Sequence, residues 1–412
     1  MKILVFILCT AATLSAAAAE ATPTLPPADA VVRVLLANPS VQAANSQLRA
    51  EEANRDRLEA GPHEWNLRFG GQQRRVTPSG GPNERFNEWN TAVERPLRLP
   101  NKASTDSALG ETGIALAETA RGDALHEAGR SLLKTWFVWL KENAAARQWA
   151  AQVASLEQQA TAVKRRQTLG DAPRLESVQA EAALAQARAQ QAQAEVRARS
   201  AGEDLRRRYP GLPLAEPANE GEPQALTGSA DEWIAAMLEH NHELALARRE
   251  GERSRLVATR SRQDRLPDPS IGLQFSRERG GEENVVGAYV SIPLPGGARR
   301  AGAEAAQAQA DAADRRAAAV EQRIAAEAAA QFHAAQAGYA TWQAAQAAAD
   351  QLGQAADMTA RAYKLGEGSL NDLLMARRQA NEAALAARLS KLDALEARYR
   401  LLLDAHRLWD FD

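Results

Sequence analysis

Two stretches of the sequence gather ionisable groups in patterns that could do chemistry. In the run EHNHE, His240 and His242 stand between Glu239 and Glu243. Imidazoles at i and i+2 do not share a helix face, unlike the i, i+4 pair of a helical zinc site, and a stable site needs three or four converging ligands. They read as solvated polar residues, at most a weak transient cation site with the two glutamates, and no metal site is assigned. His63, His126, His333 and His406 are isolated in the sequence. In KLGEGSLNDLLMARRQ, from Lys364 to Gln379, Gly366 and Gly368 interrupt a helical tract and the carboxylate of Asp372 follows. The helix dipole favours an acid in a first turn, and Ser369 or Asn371 would cap the helix that starts there. No Ser/His/Asp order, phosphate loop or CxxC supports catalysis, so the chain reads as a non-enzyme that calls for no cofactor.

The elements that must position Asp372 come next. Lys2 precedes an apolar run from Ile3 to Leu8, and small residues follow to Ala19, the pattern of a cleaved secretory signal over residues 1–19. The single cysteine, Cys9, falls inside that signal, too early and after residues too bulky for a lipoprotein signal. The exported chain is therefore expected to be held by packing alone. With 50 Lys+Arg against 52 Asp+Glu, the charge of -2 carries no nucleic-acid signature. No later apolar run approaches the ~20 residues of a membrane-spanning helix, so any crossing after export must use strands.

Between Asn101 and Ala172, and again from Ala298 to about Lys364, the chain lacks proline and is rich in strong helix formers. Each tract predicts a helix of ~100 Å at 1.5 Å per residue. Shorter helices are predicted over 174–208, 231 to about 265, 370 to about 407 and 29 to about 60, so that two short helices stacked end to end match one long one. TLGDAPRLESVQAE and KLGEGSLNDLLMAR align with Gly170 on Gly366, Leu169 on Leu365 and Glu176 on Asp372. The chain is an internal duplication: residues 20–208 form the first repeat and 229–412 the second, with a Pro- and Gly-rich waist at 209–228.

Each repeat also carries a strand pair, at 65–97 and 270–294. Trp65, Leu67, Phe69 and Trp89 alternate with polar residues in the first, and Ile271, Leu273 and Phe275 alternate in the second. An apolar face opposite a polar one suits lipid on one side and a water-filled lumen on the other. Four strands cannot close, and an open edge in lipid leaves backbone groups unpaired. Protomers must pool their strands, and twelve strands from three copies is the first arrangement with room for a passage.

VERPLRLPNKAS and VSIPLPGGARR leaving the hairpins, together with GEGSLNDLLMAR and its weaker copy GDAPRLESVQAE, resemble the TolC-like outer-membrane efflux family. The resemblance runs over essentially the whole mature chain, and it is greater to the branch that serves heavy-metal cation pumps, the CzcC-like proteins. It implies a mainly α fold with a β-hairpin pair: a homotrimer whose twelve-stranded barrel in the outer-membrane lipid continues as a long helical tunnel in the periplasm. It implies a periplasmic adaptor and an inner-membrane resistance-nodulation-division pump as partners. Gly170, Gly366 and Gly368 would lie at the periplasmic tip, Leu169 and Leu365 would meet the adaptor, and Asp372, with Glu176 as its repeat counterpart, would stand where the family carries pore-lining gate carboxylates. Met375 departs from the family pattern, which has a second acid there. Two other readings compete: a periplasmic coiled-coil scaffold or adaptor that never enters lipid, and an exit duct of type I polypeptide secretion.

Overall fold

Small, straight side chains make long helices, and here they make two of equal length. The computed structural model describes residues 24–217 and 220–409; the leader expected at 1–19, with Cys9, lies outside them. The chain runs α1 (Ala28–Leu36), α2 (Pro39–Ala60), β1 (Asn66–Val76), β2 (Glu84–Pro96), α3 (Pro100–Thr168) and α4 (Arg174–Arg208). After the waist it repeats as α5 (Ala230–Glu239), α6 (His242–Gln263), β3 (Ser270–Glu278), β4 (Glu283–Ser291), α7 (Gly297–Leu365) and α8 (Leu370–Asp404). Helices α3 and α7 each have 69 residues, ~100 Å. Along α3 pack α2 and α4, and along α7 pack α5, α6 and α8. Interrupted helices thus flank continuous ones. Among the described residues no helix is long and apolar enough to cross a membrane.

The helices expected over 29–60 and 231–265 are each broken in two. Asn38 Oδ1 accepts a hydrogen bond from Ser40 N–H at 3.0 Å, and Asn241 Oδ1 accepts from Leu244 N–H at 2.8 Å. Each asparagine starts a new helix by satisfying an amide that the first turn leaves without a partner. At the first break Pro39 also keeps Asn38 out of the α region.

The strands form one antiparallel sheet in the order β1-β2-β3-β4, with β2 joined to β3 across the two repeats. β1 and β4 are its edges. The main core lies where α1, the middle of α3, the end of α4, the waist and the end of α8 meet. Trp136, Phe137 and Leu140 are fully buried there with Leu35, Leu205 and Leu392. Trp136, Phe137, Trp139 and Leu140, at helical spacing along α3, are therefore a packing stripe. Phe332 belongs to a second core with Trp233 and Leu401, whereas Tyr339 and Trp342 are only half-buried and pack on each other. Ala306 and Ala310 of α7 lie against Ala258 of α6, where small side chains let two helices approach closely.

Candidate functional site

The two glycines that align in the sequence end the two long helices in the same way. Gly170 and Gly366 have φ of 82° and 83°, a left-handed backbone that favours glycine. In the first turn the N–H of Gly170 donates to the carbonyl of Gln167 and that of Asp171 to the carbonyl of Arg166, at 3.1 and 2.8 Å. In the second, Gly366 donates to Tyr363 and Glu367 to Ala362, at 3.1 and 3.0 Å. Both are Schellman closures that satisfy the last carbonyls of a helix. Gly368 has no positive φ; a side chain there would meet Ala362 and the Tyr363 backbone. Leu169 and Leu365 protrude beside these turns, 69% and 76% exposed. Beneath them Val163, Ala180, Leu370 and Leu373 form a small core that joins the two helical hairpins.

Ser369 caps α8: its Oγ accepts from Asp372 N–H at 3.2 Å and donates to the Asp372 carboxylate at 2.7 Å. Asp372 is exposed, in the first turn. Its repeat counterpart is in a different environment. Glu176 is half-buried and accepts from Tyr363 Oη at 3.0 Å, while the same phenol accepts from Arg166 Nη1 at 2.8 Å. Arg166 also lies over the Tyr363 ring, 5.4 Å from its centre, and donates to the carbonyl of Asp171 at 3.1 Å. Burial and the Glu176 carboxylate push the Tyr363 phenol above its ordinary pKa, so it stays protonated and able to donate. One three-residue link therefore ties the end of α3, the start of α4 and the end of α7. Arg166 and Tyr363 do not stand out in the sequence. The available signal was a polar residue of high reach one turn before each turn glycine.

At the other end the register sorts the sheet into two faces. Leu67 pairs with Val93, Phe69 with Thr91, Leu273 with Ala288 and Phe275 with Val286, all on one face. Trp89 packs its ring 5.4 Å from that of Phe275 on the same face. Phe69 is 74% exposed, and Trp65, Leu67 and Leu273 are exposed with it. The opposite face is charged. Arg74 lies 3.0 Å from Glu88 and 2.6 Å from Glu278, Arg68 lies 3.1 Å from Glu94, and Tyr289 donates to Glu94 at 2.8 Å.

Where helices give way to strands, Lys102 is buried and sits 3.1 Å from Asp264 and 3.0 Å from Asp268. His63 is 3.2 Å from Asp268, so it is not isolated. Burial alone would raise the Asp268 carboxyl; hydrogen bonds from Lys102, His63 and the Leu99 amide outweigh it and hold the pKa below the usual range. This cluster ties the start of α3 to the end of α6 and to the segments that lead into β1 and β3.

The isolation expected of His126 and His406 is corrected by the fold, and of the two histidines read as solvated His240 is exposed whereas His242 is half-buried. Ring centres of His126, His242 and His406 lie 5.1 to 5.8 Å apart, with His240 5.3 Å from His406. The break at Asn241 turns His240 and His242 toward the end of α8, across a sequence distance that no local pattern reveals. His126 is buried, and its Nε2 lies 3.1 Å from the carbonyl of Leu403. Burial and then the nearby Arg130 lower its pKa to about 4, so it is neutral at neutral pH. Among the described residues no three His, Cys, Asp or Glu side chains are grouped to hold a metal.

Residues 233–403 match the family described as outer membrane efflux protein. No curated protein sequence matches the chain. Among solved structures the chain is similar to CusC, described in terms of folding and transmembrane channel formation, with a TM-score of 0.76 at 14% identity over 92% of this chain and 91% of that one. It is similar to the Campylobacter jejuni CmeC outer membrane channel, with a TM-score of 0.75 at 14% identity over 93% and 86%. The open state of the Neisseria gonorrhoeae MtrE outer membrane channel matches with 0.70 at 20% over 94% and 91%. The chain shares the fold of these channels over nearly its whole described length.

Proposed function

We propose that this chain is the outer-membrane exit channel of an envelope-spanning efflux assembly. The observation that carries the reading is the sheet: a four-stranded sheet with one exposed apolar face, one charged face and two unpaired edges, joined to helices of ~100 Å. Three copies joined edge to edge give twelve strands, the apolar faces meeting lipid and the faces bearing Arg74, Glu88 and Glu278 lining water. The helices then form a conduit through the periplasm. Trp65, Leu67, Phe69, Trp89, Ile271, Leu273 and Phe275 are the lipid-facing set. The conduit does no chemistry; the driving energy belongs to an inner-membrane pump of the resistance-nodulation-division class, reached through a periplasmic adaptor.

The tip is the gate. Three copies of Asp372 brought together at the narrow end form a carboxylate ring that attracts cations and repels itself unless paired. The Arg166–Tyr363–Glu176 link holds the two helical hairpins together and keeps the end closed. Leu169 and Leu365 beside the turns offer apolar contacts to the adaptor. Heavy-metal cations are the proposed cargo, supported by the resemblance to the metal-pump branch and by the carboxylates along the route.

Envelope fractionation with cross-linking, followed by single-channel recording in planar bilayers, tests this. A conducting trimer in the outer-membrane fraction is expected. A soluble, non-conducting protein overturns it in favour of a periplasmic scaffold.

A further inference from the structure

The charges of the sheet are not shared between its faces. Every carboxylate of β1 to β4 lies on the charged face. The apolar face has no Asp or Glu among the described residues, yet it carries Arg75, Arg85, Arg95 and Arg277. Arg95 lies at the helical end of the sheet, its guanidinium 5.4 Å from the Trp65 ring and donating to the carbonyl of His63 at 3.0 Å. Arg85 stands ten residues further along the same strand, directly opposite Arg75. Both are exposed, as is Arg277 near the far end of β3.

Ten residues of antiparallel strand span ~34 Å, which a tilt of ~40° reduces to ~26 Å of depth. That is about the height of the apolar band of an outer-membrane barrel. If Arg95 and Trp65 sit at the periplasmic interface, Arg75 and Arg85 emerge at the headgroups of the outer leaflet. Two like charges directly opposite in a strand pair destabilise it unless an anion lies between them. The apolar face supplies none, so the anion comes from outside the chain. Arginine forks bind phosphate oxygens in pairs, which a single point charge does not.

We propose that Arg75 and Arg85 form a binding surface for the phosphate groups of a phosphorylated glycolipid in the outer leaflet, one surface per protomer; Arg277, in register with Trp89, lies deeper in the apolar band and is not part of it. The inference rests on the reading of the sheet as a lipid-facing barrel wall. The test uses the full-length mature trimer in detergent, incubated with diphosphoryl lipid A or with phosphatidylcholine, and native mass spectrometry to count lipid retained. Wild-type trimer is expected to retain lipid A over phosphatidylcholine. R75Q/R85Q should lose on the order of tenfold in lipid A retention, and the lumen-facing control R68Q should lose none. Equal retention by the double variant and wild type, or an equal loss in R68Q, overturns the proposal. Should the double variant fail to assemble, R85Q alone is read in the same way. The arms separate the two ideas: a wild-type protein that neither trimerises nor conducts removes the barrel reading, whereas a conducting trimer whose lipid A retention ignores these arginines removes only the headgroup surface.

Discussion

Tyr363 is where the two repeats act on each other at the tip. Its hydroxyl accepts from Arg166 and donates to Glu176, so Tyr363→Phe deletes two hydrogen bonds while leaving the ring contacts. The loss is on the order of 1 kcal/mol per bond in a partly exposed site, small for the fold and large for the proposed gate. In planar bilayers Y363F should open several times more often than wild type; an unchanged open probability would show that the link only stiffens the helices. Asp372→Ala is expected to raise conductance as well, and no change there would reduce Asp372 to a partner of its own cap. His126 supports a different prediction. Its pKa of about 4 in the fold lies below the ordinary 6.5, so between those values the unfolded chain binds more protons. Its stabilising contribution is complete above pH 6.5 and is lost as pH falls toward 4, on the order of 3 kcal/mol in all. Arg130, Asp404, His242 and His406 surround it, and Arg130 is itself paired with Glu127 and Asp404. His126→Gln should flatten the denaturant-measured stability between pH 6.5 and 4, and an unaltered slope would assign that slope to other groups. None of these partners was legible in the sequence, because Arg166 and Tyr363, or His126 and His406, meet only after the helices have folded back.

Whole elements were far more legible than contacts. The long helices announce themselves by composition and the lack of proline, and the strands by alternation, since both are local signals repeated many times. Breaks are single-residue events and were missed. Asn38 and Asn241 each divide a helix by capping the next turn, but an asparagine costs a helix interior only a few tenths of a kcal/mol, so its presence in a helical tract does not mark a break. The division is testable: Asn241→Ala should lower stability by about 1 kcal/mol and leave the assembled state unchanged. If stability does not move, the break is imposed by packing of α5 and α6 against α7. Glycine at the helix reversals is a sharper case. At φ of 83° an alanine at position 366 adopts a strained left-handed backbone, at a cost of roughly 1–2 kcal/mol, although no atom lies within 4 Å of where its Cβ would stand. The penalty is backbone strain, not crowding.

At the scale of the molecule, the open edges of the sheet are what the proposed channel has to close. β1 and β4 each pair on one side only, so a single chain ends in two rows of unpaired amides and carbonyls, which lipid does not tolerate. Within one chain β1 and β4 are separated by three strand spacings, ~14 Å, beyond the roughly 4.4–6.8 Å across which a disulfide forms. Between protomers of a closed barrel the same two strands are neighbours. The only native cysteine, Cys9, precedes the proposed mature start, so introduced thiols report without background. Gly71→Cys combined in turn with Val286→Cys, Ala288→Cys or Val290→Cys samples three registers of that junction. Under mild oxidation at least one pair should give covalent dimers and trimers on a denaturing gel, and each single variant should give none. Monomer alone in all three registers would mean that the edges are covered by something other than a second copy of this chain, and a twelve-stranded barrel would lose its basis.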